Sequence, residues 1–94
     1  MLKNELKRIN KELTDLLDEY KNGNFHMYTF AATVETVFYF SDYYEDILRI
    51  KHYYSEILMP ASDIGGIWSF RINKDLNKNQ VLDKLISGIE NIPN

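Results

Sequence analysis

The sequence predicts a small α+β domain in which helices cover a three-stranded sheet, with elements in the order α-β-β-α-β-α. Apolar residues recur at helical spacing near both ends of the chain. Aromatic and β-branched residues dominate 25–41, and the run IWSFRI at 67–72 follows two glycines, as a strand would. The chain has 94 residues, a length that suits one domain spanning 1–94.

Composition excludes several classes of protein. With 45% hydrophobic and 27% charged residues, the chain resembles an ordinary globular protein rather than a disordered one. The sequence contains no cysteine, which rules out disulfides, thiol catalysis and thiolate metal sites and favours a reducing, cytoplasmic location. No apolar run approaches the length of a membrane span, and no signal peptide is evident. Abundant Lys, Asn and Ile are compatible with a bacterial or phage origin.

The first helix is predicted from a stripe of apolar residues spaced by three and four. Asn22 or Gly23 can take the left-handed conformation that closes a helix. We expect the stripe to pack on the sheet of the same chain, although its heptad-like spacing also suits a homodimer through this helix. The stripe consists of Leu2, Leu6, Ile9, Leu13, Leu16, Leu17 and Tyr20.

Residues 25–41 fit two patterns. Their composition favours two strands, and a strand at 67–72 would need partners for its backbone groups. However, 31–35 contains no Gly, Asn, Asp or Pro to mark a hairpin turn. A mostly α-helical chain, with residues 26–58 helical, is therefore the alternative. The strand pattern aligns Tyr28, Phe30, Ala32, Val34, Phe38 and Phe40, whereas the helix pattern aligns Met27, Phe30, Ala31, Val34, Val37 and Phe38.

A second helix is predicted to begin at Tyr43 and to end before Pro60. Asp42 and Glu45 have the spacing of a capping box at its start. Within a single helix Tyr43 and Tyr54 face the core, and Tyr44 and Tyr53 lie on its flanks.

Turn-forming residues and the spacing of apolar residues predict the remaining elements. Residues 59–66, MPASDIGG, are predicted to form a loop. A last helix is predicted near 81–89, where apolar residues again share one face, and Asn77 with Gln80 has the spacing of a second capping pair.

Catalytic and metal-binding chemistry finds little support in the sequence. His52 and Glu56 are four apart on a helix, which is typical of a solvated pair and supplies only two metal ligands. His26 has no aligned nucleophile. The glycines at 65 and 66 precede a predicted strand, whereas phosphate loops precede a helix. We therefore expect a protein without enzymatic activity, cofactor or metal.

Tyrosines beyond those that a core can absorb stand beside carboxylates, a composition common in protein recognition. The net charge of −3 favours a partner with a basic surface. We expect a small acidic protein that binds and inhibits or neutralises another protein, of the inhibitor, anti-defence or immunity type. The expected contact residues are Asp15, Asp18, Glu19, Tyr39, Asp42, Tyr44, Glu45, Asp46 and Tyr53.

Nucleic-acid binding is the alternative function. Arg71, Lys74 and Lys78 lie near Trp68 and Phe70, and single-strand binders combine cations with stacking rings. Such a regulator could be dimeric through the first helix. The acidic net charge makes nucleic acid the less favoured partner.

Overall fold

The described part of the chain is built from helices packed around one core. The structure, a computed structural model, describes residues 1–65 and 78–93. No strand occurs in these two ranges, so the predicted α+β fold with a three-stranded sheet is wrong. The mostly helical alternative describes these residues, although the predicted helical range 26–58 is interrupted at 40–43 and 49–50. The predicted strand at 67–72 lies outside the described residues. The elements are α1 (Leu2–Lys21), α2 (Met27–Tyr39), α3 (Tyr44–Leu48), a π-helix (His52–Leu58), α4 (Met59–Gly65) and α5 (Lys78–Glu90).

Helix α1 confirms the first predicted helix. Its stripe packs on α2 and α5 rather than on a sheet, and Ile9, Leu13 and Leu17 are buried in the core. Gly23 follows the helix with a φ of 81°, a left-handed conformation that glycine adopts without a Cβ penalty.

Helix α2 replaces the two predicted strands. The buried residues Phe30, Ala31, Val34 and Phe38 belong to the helix pattern, because neighbours at three and four residues lie on one face. The alternation by two fails, since Phe40 is 84% exposed. Packing therefore decided between two patterns that the composition of 25–41 could not separate.

The predicted second helix is broken into two. No side chain caps α3, and the hydroxyl of Ser41, not the carboxylate of Asp42, accepts a hydrogen bond from the Tyr43 N–H at 3.1 Å. Helix α3 then ends at Leu48, and a new helical segment begins near His52.

The predicted loop at 59–66 is also wrong where it is described, because Met59–Gly65 forms α4 and continues the π-helix. Pro60 has no N–H and cannot donate to the carbonyl of Glu56, its partner in a regular α-helix. The π-helix ends at Leu58, two residues before Pro60, and we attribute the wider turn to this missing bond.

Helix α5 agrees with the predicted last helix over 81–89 and closes the core with Leu82, Leu85 and Ile89. It packs mainly on the π-helix and α4. Asn77, the predicted cap, lies outside the described residues.

Candidate protein-binding face

Three tyrosines share one cavity between α2, α3, the π-helix and α4. This tyrosine cavity has a volume of about 460 Å³. Tyr39 and Tyr54 are 50% and 47% exposed, so the cavity is open to solvent. Its lining consists of Tyr39, Tyr44, Tyr54, Leu58, Met59, Ser62 and Asp63.

The rings of Tyr39 and Tyr44 form a corner of the tyrosine cavity. Their centroids are 5.3 Å apart and their planes meet at 68°. Burial raises the pKa of the Tyr39 phenol above its ordinary value, opposed by a hydrogen bond with Ser62 and reinforced by Glu35. Burial, followed by the charge of Glu35, likewise raises the pKa of Tyr44. Both phenols therefore keep their protons at neutral pH.

Carboxylates lie beside these rings. One carboxylate oxygen of Glu35 accepts hydrogen bonds from the Tyr39 hydroxyl at 3.0 Å and from the Ser62 hydroxyl at 3.1 Å. Asp63 lines the cavity itself, and burial raises its pKa while the positive charge of Lys84 opposes the increase. The cavity thus combines aromatic walls with the carboxylate of Asp63, and Glu35 lies against two of its lining residues.

The exposed face of α2 borders this cavity and carries almost no charge. Glu35 is the one charged residue in the 13 residues of α2. The hydroxyls of Thr33 and Thr36 donate to carbonyls of their own helix at 2.7 and 2.9 Å. Polar groups that are already paired lose little when a partner covers them. At 100° per residue, Thr29, Ala32, Thr36 and Phe40 form the outward stripe.

An acidic groove lies on the other side of that stripe, between α1 and α2. It has a volume of about 290 Å³, and α1 supplies three carboxylates to its wall. Its lining consists of Glu12, Asp15, Leu16, Glu19, Thr33 and Val37. The outward stripe of α2 therefore separates the acidic groove from the tyrosine cavity. We call these three parts together the α2 face.

The predicted tyrosines are divided by the structure. Tyr39 and Tyr44 line the tyrosine cavity, but Tyr53 is 3% exposed and its hydroxyl donates to the side-chain oxygen of Asn10 at 2.8 Å. The expectation that Tyr53 lies at the surface is wrong, and Tyr54 lies there instead. The break between α3 and the π-helix changes the rotational phase, so a single 100° periodicity misplaces both residues.

The predicted acids do not gather in one place. Asp15 and Glu19 line the acidic groove, and Asp42 lies near the start of α1 beside Arg8. Asp46 pairs with Arg49 at 3.6 Å on α3. The remaining two, Asp18 and Glu45, are exposed.

Sequence reasoning missed five of the seven lining residues, namely Tyr54, Leu58, Met59, Ser62 and Asp63, and it also missed Glu35, which accepts hydrogen bonds from Tyr39 and Ser62. The spacing of four between Glu35 and Tyr39 would have indicated their contact, but only if 25–41 were read as a helix. The five missed lining residues required the fold of 52–65.

The structure describes one of the three basic residues predicted to contact nucleic acid, Lys78. The ammonium of Lys78 donates to the Tyr28 hydroxyl at 2.9 Å and lies 4.6 Å from the centroid of that ring. Arg71 and Lys74 lie outside the described residues, so their role stays a prediction. A homodimer through α1 also stays a prediction, although the middle of the stripe is occupied by the chain's own core.

Both histidines have structural contacts. His26 caps α2 by accepting from the Tyr28 N–H at 3.5 Å, and His52 donates through Nε2 to the Gly88 carbonyl at 2.9 Å. Across residues 1–65 and 78–93 no group of three or more His, Cys, Asp or Glu could hold a metal ion. Within the same ranges, no helix combines the length and apolar character needed to span a bilayer.

No protein family model matches the sequence, and no curated protein or solved structure matches it either.

Proposed function

We propose that this chain is a small, non-enzymatic acidic protein that binds another protein with a basic surface and thereby inhibits or neutralises it. The contact surface is the α2 face. Its uncharged stripe covers the partner, the tyrosines supply anchoring rings, and the carboxylates of the acidic groove meet lysines and arginines. Occlusion of the partner's working surface is the mechanism, in the manner of an inhibitor, anti-defence or immunity protein.

The observation that carries this proposal is the pairing of an uncharged, exposed helix stripe with carboxylates along one border. Depletion of charge at the centre with polar groups at the rim is typical of protein interfaces. Phe40 at the end of the stripe is 84% exposed, which costs solvation free energy unless a partner covers it. Tyr39 and Tyr54 add large contact area with few torsions.

Charge supports the nature of the partner. The net charge is −3, and three carboxylates line the acidic groove beside the stripe, of which Glu12 and Asp15 also pair with Arg8 and Lys11 of the same helix. Opposite charges around an interface accelerate association and discriminate against acidic partners. We therefore expect the association rate to fall as salt rises.

The test begins with partner capture by crosslinking and mass spectrometry, followed by titration of the purified partner. Thr36→Lys places a cation at the centre of the stripe and should weaken binding about tenfold or more. Gln80→Lys is the matched control, because it adds the same charge at an exposed position of α5. Equal binding by both variants would remove the α2 face as the interface.

A second variant addresses the tyrosines separately. Tyr54→Ala truncates a half-exposed ring and should weaken binding several-fold with an unchanged melting curve. An unchanged affinity would show that the rings do not contact the partner.

A further inference from the structure

We propose that the tyrosine cavity binds a tetrahedral alkylammonium cation, which in the complex is the end of a lysine side chain of the partner. The source of the cation rests on the proposed function, but the affinity of the cavity for a small cation can be measured alone. This inference assigns one chemical group of the partner to one site on the α2 face.

The rings provide the first argument. An aromatic face carries negative potential, and cations bind over it within about 6 Å of the centroid. Tyr39 and Tyr44 meet edge to face at 68°, so a cation in the corner between them is close to both rings. Tyr54 lines the same cavity and offers a third ring. A tetrahedral ammonium suits such a corner, whereas a planar guanidinium stacks on one face.

The carboxylates provide the second argument. Glu35 accepts hydrogen bonds from Tyr39 and Ser62, which places its charge at the hydroxyl end of the Tyr39 ring. Asp63 lines the cavity in a partly buried setting. Burial raises the pKa of Asp63 while the charge of Lys84 opposes the increase, and a cation in the cavity would further stabilise the charged form.

Size provides the third argument. A volume of about 460 Å³ corresponds to roughly 15 water molecules at their share of liquid volume. That space exceeds what a bare inorganic ion fills. Leu58 and Met59 in the lining give the methylene chain behind an ammonium an apolar surface to contact.

The first experiment is an NMR titration with choline and with 3,3-dimethylbutan-1-ol, a neutral molecule of the same shape. Choline should shift the ring resonances of Tyr39, Tyr44 and Tyr54 and saturate, and the alcohol should bind about five- to tenfold more weakly. Sodium chloride at equal ionic strength controls for screening. Equal affinity for both molecules would overturn cation recognition, and so would the absence of choline-dependent shifts.

Matched variants locate the site. Tyr54→Leu removes a half-exposed ring and should weaken choline binding about fivefold, whereas Tyr54→Phe keeps the ring and the affinity. Tyr28→Leu is the control, because Tyr28 is an exposed tyrosine on the opposite end of α2. If Tyr28→Leu weakened binding as much as Tyr54→Leu, the assigned site would be wrong.

A peptide series tests the lysine assignment. Peptides with trimethyllysine, lysine or norleucine at one position should bind in that descending order, since methylation weakens hydration while norleucine removes the charge. Norleucine binding as tightly as lysine would overturn the assignment. Choline binding combined with partner affinity that is insensitive to Thr36→Lys would remove the α2 face as the interface and leave the cation site standing. Partner affinity that falls in Thr36→Lys, combined with no choline binding, would refute only the cation site.

Discussion

The carbonyl oxygen of Glu56 faces Gly88 so closely that a Cβ added to Gly88 would lie 2.1 Å from it. His52, on the same π-helix, donates to the carbonyl of Gly88 at 2.9 Å. The π-helix and α5 therefore cross with their backbones in contact. This contact fixes the position of the π-helix, on which Tyr54 of the tyrosine cavity lies.

Substitution of Gly88 tests this crossing. Gly88→Ala should lower the free energy of unfolding by about 2–3 kcal/mol, because the new methyl group would meet backbone atoms that cannot move aside. Urea denaturation followed by circular dichroism measures the change. Gly23→Ala is the control: nothing lies near its added Cβ, and only its positive φ should cost about 1 kcal/mol. Equal losses in the two variants would contradict a backbone contact at Gly88.

Loss of the hydroxyl should reduce stability more at Tyr53 than at the adjacent Tyr54. Tyr53→Phe leaves the Asn10 side chain without its donor in a partly buried place and should cost about 1 kcal/mol of stability. Tyr54→Phe should change stability by less than about 0.5 kcal/mol, since Tyr54 is half exposed. Thermal unfolding of both variants checks the pair, and the opposite order would show that their burial is reversed.

The free energy of unfolding should fall at low pH as the Glu5 carboxylate takes up a proton. The Arg8 guanidinium and the Ser41 hydroxyl, which donates at 2.6 Å, lower the pKa of the Glu5 carboxyl below its ordinary value. A lowered folded-state pKa means that this contribution is present above the unfolded pKa and is lost as pH falls through the folded one. Glu5→Gln should flatten that part of the curve of unfolding free energy against pH and lower stability at neutral pH by about 1 kcal/mol.

Asp83→Asn, at an exposed position on α5, is the control for that curve. If the unfolding free energy of Glu5→Gln fell with pH as steeply as that of the wild type at pH values below the ordinary carboxyl pKa, another group would be responsible.

Cation affinity should also fall with acid. The charged and titratable groups around the tyrosine cavity are Glu35, Asp63, Tyr39, Tyr44, Tyr54 and, near Asp63, Lys84. Because the pKa of Asp63 is raised, choline affinity should decline as pH falls through that raised value and its carboxylate takes up a proton. Choline titrations at several pH values measure the decline, and Asp63→Asn should lower affinity at neutral pH and reduce the slope. A slope unchanged in Asp63→Asn would assign the effect to other groups.

Periodicity predicted the outer helices because their patterns are long and have one interpretation. The stripe of α1 and the apolar face of α5 repeat at helical spacing, and no alternation by two competes with them. Residues 25–41 satisfied both periods, and the predicted partner strand at 67–72 favoured the wrong one. Helix α2 was decided by contacts with α1 and α4, which a local pattern does not contain.

The sequence by itself determined the acidity, the absence of thiol chemistry, the two amphipathic helices at either end and the excess of tyrosines. Only the tertiary structure decided which tyrosines face water, because the break before His52 and the π-helix before Pro60 set the rotation of each ring relative to the core. Tyr39 and Asp63 line one cavity because α2 packs on α4, and the same packing brings Glu35 of α2 within hydrogen-bond distance of Ser62 of α4.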